Sequence, residues 1–371
     1  MKTNNIRLAV VGYGMPVEEA GLTCGRGGGL FKEAVKKFDG ITPAAICDTE
    51  RACLKQAKKD FPRSRLYSDF DKMIKDAQID AVIIGTPATY HAELAGKALR
   101  HNIHVLSEIP SVWSIDEGEQ LWKAHLKSKA LYMTGSNPNF KGYFDAAVDL
   151  KKKGLFGDPI YVEAEYIHDC RSYWTKTPWR MNLEPVHYCT HSLGPVLRLI
   201  DEDLEWVSCF DSGSHINKAK GQHDVMAALF RTRSNVVVRL LVSFITEVAA
   251  QHVYRFFTTK GSFERTARQL PSESPRTLFY SKDLPILSRH RVELPVGDMP
   301  VKYASNPKAT GHGGVDYAML DVFFNAIREG LPSPISLKEG LRMTLPGIYA
   351  AESARKGGEL VRIRYPWSKK E

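Results

Sequence analysis

Ile6-Arg7-Leu8-Ala9-Val10-Val11-Gly12-Tyr13-Gly14 is an apolar, β-branched run that breaks at two glycines one residue apart. A run of this kind reads as a buried strand, and the glycines after it permit a tight turn into a helix whose free amides face an anion. A dinucleotide fold needs a third glycine at the start of that helix to admit the pyrophosphate. Here the third glycine is displaced. Skipping the ten residues Met15 to Cys24 leaves Gly12-Tyr13-Gly14 followed by Gly25-Arg26-Gly27, which restores the GxGxxG register with Gly27 in third place. The spacing predicts an insertion in a phosphate-binding turn built from Gly12, Tyr13, Gly14, Arg26 and Gly27; a plain tight turn is the competing reading.

Asp48 ends the next apolar run, 21 residues beyond Gly27. At that distance an acidic side chain accepts the ribose hydroxyl protons of NAD and repels a 2′-phosphate, which favours NAD over NADP. Arg51 softens that preference, and a helix cap is the plainer role for Asp48. Outward from this turn, strands are expected at Arg7 to Val11, Thr42 to Cys47, Ala81 to Gly85, His104 to Ser107 and Leu131 to Thr134. Helices are expected at Gly29 to Phe38, Glu50 to Asp60, Tyr90 to Arg100 and Ile115 to Lys127. Strand and helix in alternation predict a doubly wound parallel sheet, a Rossmann domain over residues 1–136.

Beyond a helix at Tyr143 to Lys153 the pattern changes to long alternating segments at Ile160 to His168, Val225 to Thr232, Asn235 to Phe244 and His252 to Thr259. These predict an α+β domain over residues 137–371 with a large, mostly antiparallel sheet. Residues Pro271 to Pro307 read as strands and loops. Helices at Gly314 to Glu329 and Leu337 to Lys356, expected to pack back toward the Rossmann domain, and a strand at Leu360 to Ile363 close the chain.

With 371 residues, 43% hydrophobic and 25% charged, the composition is that of a globular protein with more than one domain. No secretion leader and no membrane-spanning run is read, and six scattered cysteines fit reduced thiols in a cytoplasmic protein. The net charge of +9 comes from short lysine groups such as Lys36-Lys37 and Lys151 to Lys153, a solvated basic surface rather than a nucleic-acid track. It leaves an anionic substrate open. No metal-ligand pattern is present, so no metal site is expected.

Val82-Ile83-Ile84-Gly85-Thr86-Pro87, running on to His91, and His104-Val105-Leu106-Ser107-Glu108-Ile109-Pro110 resemble the corresponding segments of the Gfo/Idh/MocA oxidoreductases. The resemblance extends to the Lys356-Gly357-Gly358 turn and implies that Thr86, Pro87, His91, Glu108 and Pro110 contact the nicotinamide end of NAD. Ordinary dehydrogenases of the family carry a lysine where this chain has Ile109. Tyr166-Ile167-His168-Asp169, Tyr188 to Pro195 and Gly311 to Tyr317 are similar to a narrower branch, the NAD-dependent glycoside hydrolases. That resemblance implies oxidation of a sugar hydroxyl, elimination of the glycosidic group, water addition and re-reduction. The branch has Glu-Asn where this chain has Ser136-Asn137.

On an extended strand Tyr166 and His168 share a face, and Tyr188 and His191 share a side at a helix entry. Together they offer two phenols and two imidazoles; the plainer reading is packing with satisfied polar tips. His191 is the foremost catalytic candidate, because dehydrogenases of the family also place a histidine at this helix. His312 precedes two glycines at a helix start and joins the catalytic candidates. Asn137, Trp174, Trp179 and Arg180 are candidates for holding the sugar. The expected function is hydride transfer between a ring hydroxyl carbon of a carbohydrate and NAD. A redox-neutral glycosidase and a non-catalytic NAD-binding protein are the alternatives. A homo-oligomer is expected by analogy, through an open sheet face.

Overall fold

The computed structural model describes residues 5–14, 25–174, 177–216, 223–268, 272–284 and 290–368. The chain divides into two compact units, each built on its own sheet. The first comprises Met1–Ser136, Pro307–His312 and Asp316–Leu341; the second comprises Asn137–Asn306, Gly313–Val315 and Arg342–Glu371.

The first sheet has six strands: β1 (Ile6–Val11), β2 (Ile41–Cys47), β3 (Arg65–Tyr67), β4 (Ala81–Ile84), β5 (His104–Ser107) and β6 (Tyr132–Thr134). Their order is β3-β2-β1-β4-β5-β6, and every pairing is parallel. Order reversal at β1 and β4 makes the switch point at which open α/β sheets bind ligands. Leu8, Ala9, Val10, Val82 and Ile83 are all fully buried, which is why these runs are apolar without alternation. Five helices connect the strands: α1 (Arg26–Lys37), α2 (Arg51–Asp60), α3 (Phe70–Asp76), α4 (His91–Arg100) and α5 (Ile115–Lys127). The sequence reading lacks β3 and α3. β3 is a three-residue edge strand, too short to show a period, and α3 is announced only by its cap, where the Asp69 side chain accepts from the Lys72 amide at 2.7 Å.

The second unit begins with α6 (Gly142–Lys152) and β7 (Pro159–Ile167), then α7 (Thr190–Leu197), β8 (Leu204–Asp211), β9 (Val225–Thr232), β10 (Val237–Ser243), β11 (Gln251–Thr258), β12 (Gly261–Arg265), β13 (Thr277–Ser281) and β14 (Val292–Leu294). Helix α8 (Val315–Glu329), which but for its first residue belongs to the first unit, and α9 (Leu337–Arg355), most of which belongs to the second, precede β15 (Val361–Arg362). The sheet order is β14-β13-β12-β11-β7-β10-β9-β8-β15, with β7 and β10 parallel and the other pairs antiparallel. One face is the core: Val162, Ala164, Tyr254, Phe256 and Phe263 point to it, and Phe144 of α6 meets Tyr254 edge-on at 4.8 Å. On the other face a row crosses the sheet in register from Ser208 through Leu229, Arg239, Glu163 and Arg255 to Glu264. Arg239 pairs with Glu165 at 2.7 Å, and Arg255 with Glu163 at 2.9 Å.

Candidate functional site

The glycine turn of the first unit is as tight as its spacing suggests. A Cβ on Gly27 would lie 2.3 Å from the Gly12 carbonyl oxygen, and one on Gly12 2.7 Å from Gly85 backbone. Both are closer than real contacts, so β1, α1 and the end of β4 meet only because all three positions lack side chains. Gly12 and Gly14 also take positive φ, 78° each. Met15 to Cys24 lie outside the described residues. The chain leaves and returns at one place nonetheless, since a Cβ on Gly14 would sit 2.6 Å from Gly25 Cα. Gly25 thus continues the turn where Gly14 leaves it.

Asp48 stands beside this turn. Its Oδ2 accepts from the Gly14 amide at 3.0 Å, its Oδ1 accepts from the Glu50 amide at 2.9 Å, and the residue is buried. Each oxygen retains acceptor capacity for a ribose hydroxyl. Thr86, at the end of β4, keeps a buried hydroxyl with no partner among the described residues. A cradle closed to side chains, a fixed carboxylate and an unspent buried hydroxyl along one sheet edge fit a dinucleotide.

Three residues expected to touch the cofactor do other work. The Tyr13 ring is fully buried and its hydroxyl donates to Asp60, which also pairs with Lys32 at 2.7 Å, so the side chain anchors the turn from below. His91 is 1% exposed, with Nδ1 2.9 Å from the Pro110 carbonyl and Nε2 2.9 Å from the Thr86 carbonyl. Its ring ties the Thr86-Pro87 turn to the Pro110 turn and has no free edge for a ligand; burial lowers its pKa. Pro110 is itself buried and accepts that bond, while Pro87 is exposed.

Arg26 is the third. Its Nε donates to Glu108 at 2.8 Å and its two terminal nitrogens fork onto Asp316 at 2.7 and 2.9 Å. His312 Nδ1 lies 2.7 Å from the same Asp316 carboxylate. Arg26, Glu108 and His312, assigned separately from sequence, are therefore one network centred on Asp316, which sequence reasoning missed although it stands inside the quoted Gly311 to Tyr317 segment. Burial alone would raise the Asp316 pKa, but the His312 bond and the Arg26 charge hold it well below the usual carboxylate range. Gly311, Gly313 and Gly314 and the non-glycine His312 all take positive φ, which turns the chain sharply into α8.

In the second unit β7 and the entry to α7 bring together the four aromatic and imidazole candidates. Ring centroids lie 6.1 Å apart for Tyr166 and His168, 5.9 Å for Tyr166 and Tyr188, 5.1 Å for Tyr166 and His191, and 4.9 Å for Tyr188 and His191. Sequence reasoning missed a fifth member. His252, the second residue of β11, lies directly opposite Tyr166 in register, with ring centroids 4.4 Å apart; only the strand pairing reveals it. Burial, aided by Tyr188, drives the Tyr166 phenol well above its ordinary pKa, so at neutral pH it is a hydrogen-bond donor. Burial and then the Arg180 charge lower His168, while packing against the sheet and then the Lys141 charge lower His252, which is exposed along its outer edge. Those two imidazoles are neutral at pH 7 and can accept protons.

Around this cluster, Arg180 lies 4.7 Å over the Trp179 ring and 5.5 Å over Tyr188. Trp174 keeps a buried indole nitrogen with no acceptor among the described residues. Asn137 is buried in the turn ahead of α6. No group of three or more histidine, cysteine or acidic side chains among the described residues is arranged to hold a metal. No described helix is long and apolar enough to cross a membrane.

Residues 6–136 match the model of the oxidoreductase family with an NAD-binding Rossmann fold, GFO_IDH_MocA. The chain is similar to glycosyl hydrolase family 109 protein 1 of Bacteroides fragilis, at 25% identity over 89% of this chain and 78% of that protein. It is similar also to the family 109 protein of Solibacter usitatus, at 25% identity over 95% of this chain and 86% of that one. Among solved structures it resembles an oxidoreductase from Agrobacterium radiobacter in complex with NAD+, L-tartaric acid and magnesium (TM-score 0.77, 17% identity, 96% of this chain and 98% of that one). It also resembles scyllo-inositol dehydrogenase from Lactobacillus casei with bound NAD(H) and scyllo-inositol (TM-score 0.74, 18% identity, 96% and 99%). At such identities the structural likeness speaks for the fold.

Proposed function

We propose, from the match of residues 6–136 to the model of the oxidoreductase family with an NAD-binding Rossmann fold, that this protein is an NAD-dependent enzyme that oxidises a ring hydroxyl of a sugar, glycoside or cyclitol. The observation that carries the reading is the gathering of Tyr166, Tyr188, His168, His191 and His252 in one unit. The first unit meanwhile keeps a glycine cradle and an acid beside it. Bound NAD supplies a hydride acceptor. Gly12, Gly14, Gly27, Asp48 and Thr86 hold it, and Arg26, through Glu108 and Asp316, fixes the start of α1.

The chain's own chemistry is proton handling and positioning. His191 takes the proton of the reacting hydroxyl, which Ile109 cannot do. Tyr166 donates a hydrogen bond to the substrate oxygen, and the neutral His168 and His252 accept from neighbouring hydroxyls. Trp174 and Trp179 offer flat apolar surface to a pyranose, and Asn137 a further polar contact. His312, bonded to Asp316, serves as a positioning residue in this scheme.

A redox-neutral glycosidase is the second reading, favoured by similarity to family 109 proteins over most of the chain. A panel of α- and β-nitrophenyl glycosides, with nitrophenolate and reduced nicotinamide recorded together, with and without added NAD, separates the two. NADH accumulating without cleavage supports the dehydrogenase. Nitrophenolate released without NADH supports the glycosidase, and neither signal with any glycoside or free sugar sinks both. The reading includes a cytoplasmic protein that self-associates through the open face of the second sheet, where Phe210 is 64% and Leu229 is 53% exposed.

A further inference from the structure

A buried cation ordinarily has a carboxylate beside it, because water is no longer there to solvate its charge. Arg180 breaks this rule. It is partly buried, and its recorded neighbours are the Trp179 ring, the Tyr188 ring and hydroxyl, Tyr166 and Cys170. No carboxylate among the described residues lies within ion-pair distance of it. The acid closest along the chain, Glu184, is committed to Arg355 at 2.6 Å, and Asp169 to Arg171 at 2.7 Å. Faces of aromatic rings and one phenol offset part of the cost of burying a guanidinium, and none of them neutralises it.

The surroundings add positive charge. Asp298 is shared by two cations, Lys141 at 2.6 Å and Arg265 at 3.2 Å, so that group also carries an excess cation. The cluster feels both charges: Arg180 helps to lower His168, and Lys141 helps to lower His252. These two histidines flank Tyr166, His252 opposite it in register and His168 two residues on.

Resting on the reading of this unit as the carbohydrate site, we propose that the substrate is an acidic sugar, a uronate whose carboxylate pairs with Arg180. The guanidinium fork matches the two oxygens of a planar carboxylate, and a singly charged group suits a single unneutralised cation. Neutral hydroxyls of the same ring fall to the imidazoles and phenols. A neutral hexose would leave the Arg180 charge without a counter-ion, and the site discriminates against it for that reason.

The test is equilibrium binding by calorimetry to the full chain in the presence of NADH, which leaves the sugar no hydride acceptor, with D-glucuronate and D-galacturonate set against D-glucose, D-galactose and D-glucose 6-phosphate. A charge-assisted hydrogen bond in a shielded site predicts that one of the uronates binds about 10- to 100-fold tighter than its parent hexose. Arg180→Gln collapses that ratio toward one, Arg180→Lys restores part of it, and NAD titration of both variants checks that they are folded. Equal binding of uronate and hexose by the unaltered protein overturns the acidic-sugar proposal and leaves the oxidoreductase reading standing. A uronate preference that survives in Arg180→Gln overturns the assignment to Arg180, and tighter binding of the 6-phosphate overturns the carboxylate. If no sugar of either kind binds, the carbohydrate reading falls and takes this proposal with it.

Discussion

Asp316→Asn isolates the network that ties the glycine turn to α8. The carboxylate is 6% exposed and receives three short contacts, from Arg26 at 2.7 and 2.9 Å and from His312 at 2.7 Å. Asparagine keeps one acceptor and turns an amide toward the guanidinium donors. Removing one partner of a buried ion pair costs about 3–5 kcal/mol. Arg26, however, is 30% exposed and retains Glu108 at 2.8 Å, so the expected loss is smaller, about 2–3 kcal/mol. For a folding unit of this size that is a fall in Tm of about 5–10 °C. Because the folded-state pKa of Asp316 is depressed, this stabilisation is present above the ordinary carboxylate pKa and is lost as pH falls toward the folded value. The assay is thermal unfolding by circular dichroism at pH 7 and pH 4, with NAD affinity by calorimetry. The exposed pair Asp149–Lys153 supplies the control, where Asp149→Asn should shift nothing measurable. An Asp316→Asn protein that melts within 2 °C of the parent at pH 7 and binds NAD unchanged would refute the argument.

Gly27→Ala places a Cβ 2.3 Å from the Gly12 oxygen and 3.2 Å from Gly85 Cα, so the turn must open; about 1–3 kcal/mol of stability and at least tenfold in NAD affinity should go, read by melting and titration. His187, 11% exposed, is pushed down to about 4 by burial. Between that value and the ordinary 6.5 the unfolded chain takes up a proton that the folded chain does not, so stability is full above pH 6.5 and falls as pH drops toward 4, by about 3 kcal/mol for this imidazole. A His187→Asn protein should show a shallower dependence of Tm on pH over that window, and an unchanged slope would show the histidine is not its source.

The parallel sheet was legible because β4 and the inner residues of β1 and β5 are buried on both faces and so are written as short apolar runs without alternation. The glycine register was legible across ten extra residues because Gly12, Gly14, Gly25 and Gly27 are constrained by backbone contact rather than by chain position. What stayed hidden depends on pairing. β3 is held by β2, not by its own composition. The opposition of His252 and Tyr166 is a matter of strand register, and Asp316 gains its role only when α8 brings it to Arg26. Tyr13 and His91 were read as ligand contacts because motif position says where the backbone lies; burial decides where the side chain goes.

Hydride transfer from a sugar carbon is the step on which the account rests. The direct measurement is a single turnover with a sugar deuterated at its ring carbons, offered to the NAD-loaded protein and to His191→Ala, followed by alkaline quench and mass analysis of the reduced nicotinamide dinucleotide. The account predicts a dinucleotide heavier by one deuterium in the parent protein and none in the variant, which still binds NAD. An unlabelled dinucleotide in the parent, with the sugar chemically changed, or equal labelling in His191→Ala, would contradict it.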